Sequence, residues 1–380
     1  MKAVGLVTEY NPFHNGHLYH LQTAKRLTQA DVVVVVMSGN FTQRGEPTIV
    51  DKWTRAQEAL ANGADLVVEL PLFDAVQPGQ RFATGALRLL NDLQVAAVVF
   101  GAEHPAWDFE RLVAAEASFA APAFTDYRAT YATQFNAALV QQTGVSLVDP
   151  NDILAFSYFK ARAEHKWSME LYPIQRRGSG YHDQSLQTTL ASASAIRQAV
   201  QDRTDIDDVV PAQTAQDLAN LSVIPNWQAL YPLLRNHLIQ APVTELRHIY
   251  LMSEGLEYRM KEAASRELTF DGFLHAVKTK RYTFARLLRL CLYTVLEATQ
   301  TEVLNAQPYH HVLGFTAPGR AYLHALKKTV QYPLITKVDA DKKATLMNLD
   351  YRAGKLYQLF TPVEQDLKHA PIIKLSSKKH

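Results

Sequence analysis

The sequence predicts an α/β protein: a parallel sheet with crossover helices in the first half, followed by a mainly α-helical domain. Three observations carry this. Residues 1–200 alternate short apolar, β-branched runs with helix-length segments, the spacing of βαβ units. Beyond about residue 200 the strand signals fade, and helical periodicity dominates from Asn226 to Ala298, as in LLRLCLYTVL. At 380 residues the chain is longer than one ordinary domain needs. The boundary falls near residue 200, at the acidic Asp202–Asp208 stretch, giving domains of 1–200 and 201–380.

Each element has its own signal. Lys2–Val7 is a short apolar run suited to a buried strand, followed by a polar loop and a helical pattern from Gly16 to Gln29. Asp31–Met37 is a valine run bounded by Ser38-Gly39-Asn40 and reads as a central parallel strand. Asp51 is placed to cap a helix running to Ala61 and closed by Asn62-Gly63. Asp65–Leu70 is a strand stopped by Pro71; a helix over Gln80–Asn91 leads to a fourth strand, Val95–Phe100. Residues 105–148 read mostly as helix. In DPNDILAFSYFKA, Asp149 can cap, and Pro150 suits the first helical position, so a helix runs from Pro150 to Glu164. Met169–Ile174 is a further strand, Gln175–Gln187 a glycine- and charge-rich loop, and Ser192 or Ser194 opens the next helix. Near the end, Leu334–Thr336 has a strand signal and Lys343–Asp350 a short periodic pattern, with no internal repeat anywhere.

Composition narrows the function. A hydrophobic fraction of 47% with 20% charged residues excludes intrinsic disorder. The longest apolar stretch, Val32–Met37, is far shorter than the roughly 20 residues of a spanning helix. The opening MKAVGLVTEYNPF lacks the long apolar core of a signal peptide. A single cysteine, Cys291, excludes a disulfide framework and a cysteine zinc site, and points to a reducing cytoplasm. The net charge of +2 conceals an asymmetry: residues 1–200 carry −3, residues 201–250 carry −3 and residues 251–380 carry +8. A basic last third suits a polyanionic partner.

The chemistry concentrates in TEYNPFHNGHLYH, Thr8 to His20, between the first strand and first helix. There an open sheet places its ligand crevice, and the helix N-terminus offers free N–H groups to an anion. His14 and His17 stand three apart on the first turn, and Gly16 between them lets phosphate approach the backbone. Imidazole N–H donors can hold the charge that grows on a leaving pyrophosphate. With His20 a further turn on, the three histidines could instead bind a metal, although no carboxylate in register and no cysteine accompanies them, or simply cap the helix.

HNGH resembles the His-x-Gly-His signature of the nucleotidyltransferase superfamily, and SASAIR (Ser192–Arg197) resembles its late Ser/Thr-Ile-Arg element. The ordered set VTEYNPFHNGHLYH, MSGNFTQRGEPTIVDKWTRAQEAL, FGAE, DPNDILAFSYFKA, RRGSGYHD, SASAIR, KTKRYT, VLGFT and PLITK resembles the tRNA(Met) cytidine acetate ligase family over nearly the whole chain. The resemblance implies a Rossmann-like nucleotidyltransferase domain and a mainly helical C-terminal domain. It also implies ATP-dependent ligation of acetate to N4 of the wobble cytidine of elongator tRNA(Met), through an acetyl-adenylate.

Carried over residue by residue, the implied ATP loop comprises Val7, Thr8, Glu9, Tyr10, Asn11, Pro12, Phe13, His14, Asn15, Gly16, His17, Leu18, Tyr19 and His20. Gly101 matches a nucleotide-contacting glycine, Asn151 the asparagine of Pro-Asn-Asp, and Arg176 the arginine after the last strand of the first half. Arg177 stands where the family has an apolar residue, so either arginine can fill the role. Ser192, Ser194 and Arg197 match the late phosphate element, and Lys52 is a candidate for the triphosphate or the acetate carboxylate. Mg²⁺ is expected with the ATP phosphates, without a carboxylate cage of its own. For the anticodon loop the candidates are Lys278, Lys280, Arg281, Arg286 and Arg289, with Tyr282 and Phe284 among them for stacking. Helical spacing puts Arg286 and Arg289 on one outer face. Two rivals share these motifs: an adenylyltransferase acting on a small metabolite, and an RNA-binding protein with a regulatory nucleotide site. On this reading a fragment ending near residue 200, if it folds, binds ATP but holds tRNA poorly.

Overall fold

The computed structural model of the chain describes residues 1–119, 131–176, 190–253, 255–367 and 369–374. Strands β1 (Ala3–Thr8), β2 (Val32–Ser38), β3 (Leu66–Leu70), β4 (Ala97–Ala102) and β5 (Glu170–Gln175) form a parallel sheet in the order β5-β4-β1-β2-β3. Every residue of β2 is buried. Val32, Val34 and Val36 enter one hydrophobic cluster and Val33, Val35 and Met37 another. Period-two side chains buried on both faces are why this strand reads as unbroken valine.

Between the strands run α1 (Asn15–Thr28), α2 (Lys52–Ala61), α3 (Leu72–Ala75), α4 (Gly79–Asp92), α5 (Phe109–Ala117), α6 (Tyr131–Thr143) and α7 (Pro150–His165); α8 (Ala193–Gln201) follows β5. Asp51 caps α2 through the amides of Trp53 and Thr54, and Ser192 caps α8 through Ala195, as their positions predict. Asp149 stands at the N-cap of α7 without a side-chain cap bond, while Pro150 begins the helix. The chain leaves β1 for β2 and β3 on one side, then returns to β4 and β5 on the other. The loops after β1 and β4 therefore flank the switch point, where open α/β sheets hold ligands.

The second half begins with α9 (Ala212–Ala219), α10 (Trp227–Gln240), α11 (Val243–Leu246), α12 (Leu256–Arg266), α13 (Phe270–Val277), α14 (Phe284–Val295) and α15 (Gln300–Asn305). Then the chain returns to the sheet. β6 (His310–Thr316) lies antiparallel on β3, and after α16 (Ala317–Leu326) the short β7 (Leu334–Ile335) pairs with the start of β6. After α17 (Ala340–Ala344) and α18 (Asn348–Tyr357), β8 (Ile372–Lys374) pairs with its end. Leu66 and Val68 of β3, Leu290 of α14 and Tyr357 of α18 share one hydrophobic cluster.

The boundary expected near residue 200 is thus not one the sheet respects. Without residues 310–316 the edge of β3 is bare, a template for aggregation. A fragment ending near residue 200 is therefore expected to be insoluble or unfolded, so the folding on which its ATP binding depends is not met. Circular dichroism and ATP titration of that fragment check it. Among the described residues no helix is long and apolar enough to cross a membrane, and Cys291 is buried as a free thiol.

Candidate active site

The loop after β1 builds the first wall of the crevice. Tyr10 and Phe13 are fully buried and pack edge-on at 4.7 Å, with the His17 ring 4.9 Å from Tyr10. His14 is the N-cap of α1: its Nδ1 accepts the Gly16 N–H at 3.0 Å, while His17 Nδ1 faces the His14 N–H at 3.4 Å. The two rings stack at 3.7 Å. With Nδ1 accepting the Gly16 N–H, the neutral His14 ring carries its proton on Nε2 and is a donor there, whereas the one N–H of His17 goes to the Pro12 carbonyl. Both rings are held neutral. Burial pushes His14 down to about 3, helped by the positive charges of Arg176 and Arg197. Burial, His14, His20 and Arg176 lower His17 further below the ordinary histidine range, against a bond to the Pro12 carbonyl. A Cβ on Gly16 would lie 2.8 Å from His14 Cε1, so only glycine leaves the cap ring in place. Capping and anion donation, posed as alternatives by the sequence, use different nitrogens of one ring.

His20 turns elsewhere: its Nε2 donates to the Val99 carbonyl at 2.9 Å, tying α1 to β4. Among the described residues His14, His17 and His20 do not form a set that could hold a metal ion.

SASAIR comes to this loop, as the resemblance implies. Arg197 Nη1 donates to the Asn11 carbonyl at 2.8 Å, and Ser192 Oγ lies 3.0 Å from Ser194 Oγ at the start of α8. Asn15 joins the same region through Val209 and Asp208, its N–H at 3.1 Å and its amide at 2.9 Å. Leu18 and Tyr19 are half-buried on α1, and Val7 and Thr8 end β1. Glu9 Oε1 accepts the Gln43 N–H at 2.6 Å, and burial raises its carboxyl.

The opposite wall follows β4, and its hub is a residue sequence reasoning passed over. Glu103 Oε1 accepts from Asn151 Nδ2 at 2.5 Å and lies 3.6 Å from Arg176 Nη1; Oε2 accepts the Asp152 N–H at 3.0 Å. Asp152, fully buried, returns the bond, accepting the Glu103 and His104 amides at 2.9 and 3.0 Å. Gly101 lies in β4, and Arg176 Cγ passes 3.0 Å from where a Cβ would stand. The signal was present: Glu103 ends FGAE, two residues beyond Gly101.

Two expected site residues stand differently, and a third is not among the described residues. Lys52 is buried, and its Nζ meets Glu69 Oε1 and Oε2 at 2.9 and 2.8 Å and Asp366 Oδ1 at 2.6 Å. An ammonium has three donors, and all three are spent, so Lys52 is a structural cation and not a phosphate or acetate ligand. Burial alone would lower its pKa, but Asp366 and Glu69 outweigh that and raise it. Arg289 is also buried rather than outward-facing. Its guanidinium points at the Gln43 and Gln77 carbonyls at 3.3 and 3.5 Å, and burial lowers it to about 10. Arg177 lies outside the described residues.

The helix-capping histidines and the SASAIR segment thus meet at the switch point of a parallel sheet. The HIGH Nucleotidyl Transferase profile matches residues 1–370. The tRNA(Met) cytidine acetate ligase of Limosilactobacillus reuteri is 64% identical over 375 residues, 98% of this chain and all of that one. The chain belongs to this ligase family. The ligase of the same name from Limosilactobacillus fermentum is 61% identical over 98% of this chain and 99% of its own. The ligase family's solved fold is also shared: Thermotoga maritima TmcAL in its apo form superposes with a TM-score of 0.90 at 29% identity, covering 99% of this chain and 100% of that chain. TmcAL bound to alpha-thio ATP superposes at 0.87, with the same identity and coverage.

Proposed function

We propose that this protein is an ATP-dependent ligase that joins acetate to N4 of the wobble cytidine of elongator tRNA(Met), in the anticodon loop. The observation that carries the reading is the pair of neutral, stacked histidines at the N-terminus of α1, facing a switch-point crevice together with Arg197 and Arg176. Acetate is a poor acyl donor because its leaving group would be oxide. Its carboxylate oxygen attacks the α-phosphorus of ATP, the bond to pyrophosphate breaks, and a mixed anhydride forms. The cytidine amine then attacks the acetyl carbon, AMP leaves, and the nitrogen loses a proton. No covalent enzyme nucleophile is needed. The protein must hold two anions together and offset the charge on departing pyrophosphate. The Nε2–H donor of His14, supported by the stacked His17 ring, the α1 N-terminus, Arg197 and Arg176 suit that task. Asn151, with Ser192 and Ser194 across the crevice, is assigned to the nucleotide. Mg²⁺ travelling with ATP would be held mainly by phosphate oxygens and water.

The test incubates the protein with ATP, labelled acetate and tRNA, follows pyrophosphate, and analyses the nucleosides by mass. Acetylated cytidine in tRNA(Met) is expected; pyrophosphate release driven by another small acid, with tRNA unmodified, would favour the metabolite adenylyltransferase instead. Asn151→Ala is expected to weaken ATP binding by about tenfold, the value of one hydrogen bond to the nucleotide. Glu103→Ala should do the same by freeing Asn151 and Arg176. Calorimetric titration of ATP checks both; wild-type affinity in either would remove that residue from the site.

A further inference from the structure

The basic segment Lys278–Arg289 is sorted by the fold into residues that face inward and residues that face solvent. Arg289 is buried, and so is Tyr282, under the Arg286 guanidinium at 5.1 Å from its ring. Arg286 also donates to Ser253 Oγ at 2.8 Å. One aromatic of the segment is left open: Phe284, the first residue of α14, is 41% exposed.

Its setting is cationic. Lys278 Nζ lies 5.3 Å from the ring centroid, the His275 ring meets it edge-on at 5.5 Å, and Lys280 and Arg281 are exposed on the turn between α13 and α14. Thr283 caps α14 through the Arg286 amide, so the positive end of the helix lies at the same spot. A partly exposed aromatic ring with cations beside it is what a single-stranded nucleic acid needs: a surface for one base, reached by displacing the mobile Lys278 ammonium, and counter-charge for the phosphates on either side. A protein partner's apolar patch would sit better on an apolar rim, and Phe284 is the one large hydrophobic exposed in this segment.

The position adds a second argument. From Phe284 to Arg289 is five residues, about 7.5 Å of helix rise. Arg289 Nη1 reaches the Gln43 carbonyl at 3.3 Å, and the Gln43 N–H donates to Glu9, in the loop after β1. Gly45 of the same turn lies with its backbone against α14, where a Cβ would come 3.0 Å from Arg289 Cα, and Trp227 Nε1 donates to its carbonyl at 2.9 Å. One helix and one tight turn therefore join the ring to the crevice wall.

We propose that Phe284 is a stacking platform for an unpaired base of the RNA substrate, one that neighbours the reacting cytidine in the loop. The inference rests on the RNA reading above. A base held at Phe284 anchors the loop beside the crevice and leaves an adjacent nucleotide to enter it.

The experiment uses the full chain and two RNAs, an anticodon stem–loop and a blunt duplex of the same stem. Phe284→Ala should weaken binding of the stem–loop by roughly 5- to 150-fold, the range for one lost base stack, and leave duplex binding as it was. Phe284→Trp should restore it, and Phe284→Leu should not. The slope of log affinity against log salt should stay constant in all three, because no phosphate contact is lost, whereas Lys280→Glu with Arg281→Glu should flatten it. ATP affinity measured alongside reports that each variant is folded. Unchanged stem–loop affinity in Phe284→Ala, or full rescue by Phe284→Leu, overturns the platform. So does a change of sedimentation in Phe284→Ala without RNA, which would mark a contact between copies. If the wild type acetylates tRNA while Phe284→Ala is equal to it, the platform alone fails; if the wild type neither binds nor acetylates tRNA, the functional reading fails with it.

Discussion

His17→Ala should lower turnover by roughly 100- to 1,000-fold while leaving tRNA affinity unchanged, the usual cost of losing one donor aimed at developing charge, because the His17 ring stacks on His14 and faces its N–H and so holds that donor in place. His14 allows a finer test, because its two nitrogens do different work. Nδ1 caps α1 through Gly16, and Nε2 carries the proton. An asparagine oxygen reproduces Nδ1 but has nothing at the Nε2 position. His14→Asn should therefore keep the melting temperature of the wild type and still lose turnover by a similar factor. If His14→Asn is active, the ring is only a cap, and the donor role is overturned.

The protonation state gives an independent check. Burial with Arg176 and Arg197 holds His14 near 3, and His17 is also held low, so neither ring titrates near the ordinary value of about 6.5. The rate should show no limb there. Stability should respond instead. Between pH 6.5 and about 3 the unfolded chain binds protons that the folded histidines do not. Stability from these residues is thus complete above about 6.5 and declines as pH falls. His14→Asn should flatten that decline.

Lys52→Met is expected to cost about 3–5 kcal/mol of stability, the typical result of stranding buried charge. Glu69 and Asp366 would lose their shared counterion, and Asp366 Oδ2 already has no partner. Urea unfolding measures the loss. Its pH dependence follows from Glu69, which Lys52 and His311 hold at about 2 against the cost of burial. A depressed carboxyl adds stability above its unfolded value near 4.5 and loses it as pH falls toward 2. The gap between wild type and Lys52→Met should therefore narrow over that window. A variant as stable as wild type but inactive would return Lys52 to the substrate.

What the sequence made legible was local. Asp51 and Ser192 announced their helices because a cap bond spans three residues, and HNGH announced the crevice because strand, loop and helix are contiguous. The misses were long-range. Helical periodicity marks a face of α14 but not what covers it, and Gln43 and Gln77 covering Arg289 lie 246 and 212 residues away. Lys52 reads as a candidate for the triphosphate or acetate until Asp366 is found beside it. HHVLGFT is short, and only the bare edge of β3 makes it a strand. Glu103 acts through Asn151 and Asp152, 48 and 49 residues away, a distance over which a motif gives no geometry.

The bond between Lys52 and Asp366 joins residues 314 positions apart. On a ribosome adding about 5–20 residues per second, that interval is on the order of 15–60 s, in which the lysine has emerged and its counter-charge does not yet exist. A polypeptide cut short by premature termination before residue 366 would expose a strand edge or an unmatched charge, marking it for proteolysis. The residues that close the sheet are translated long after those that form the loop following β1, so the complete fold is assembled only once nearly the whole chain has been made.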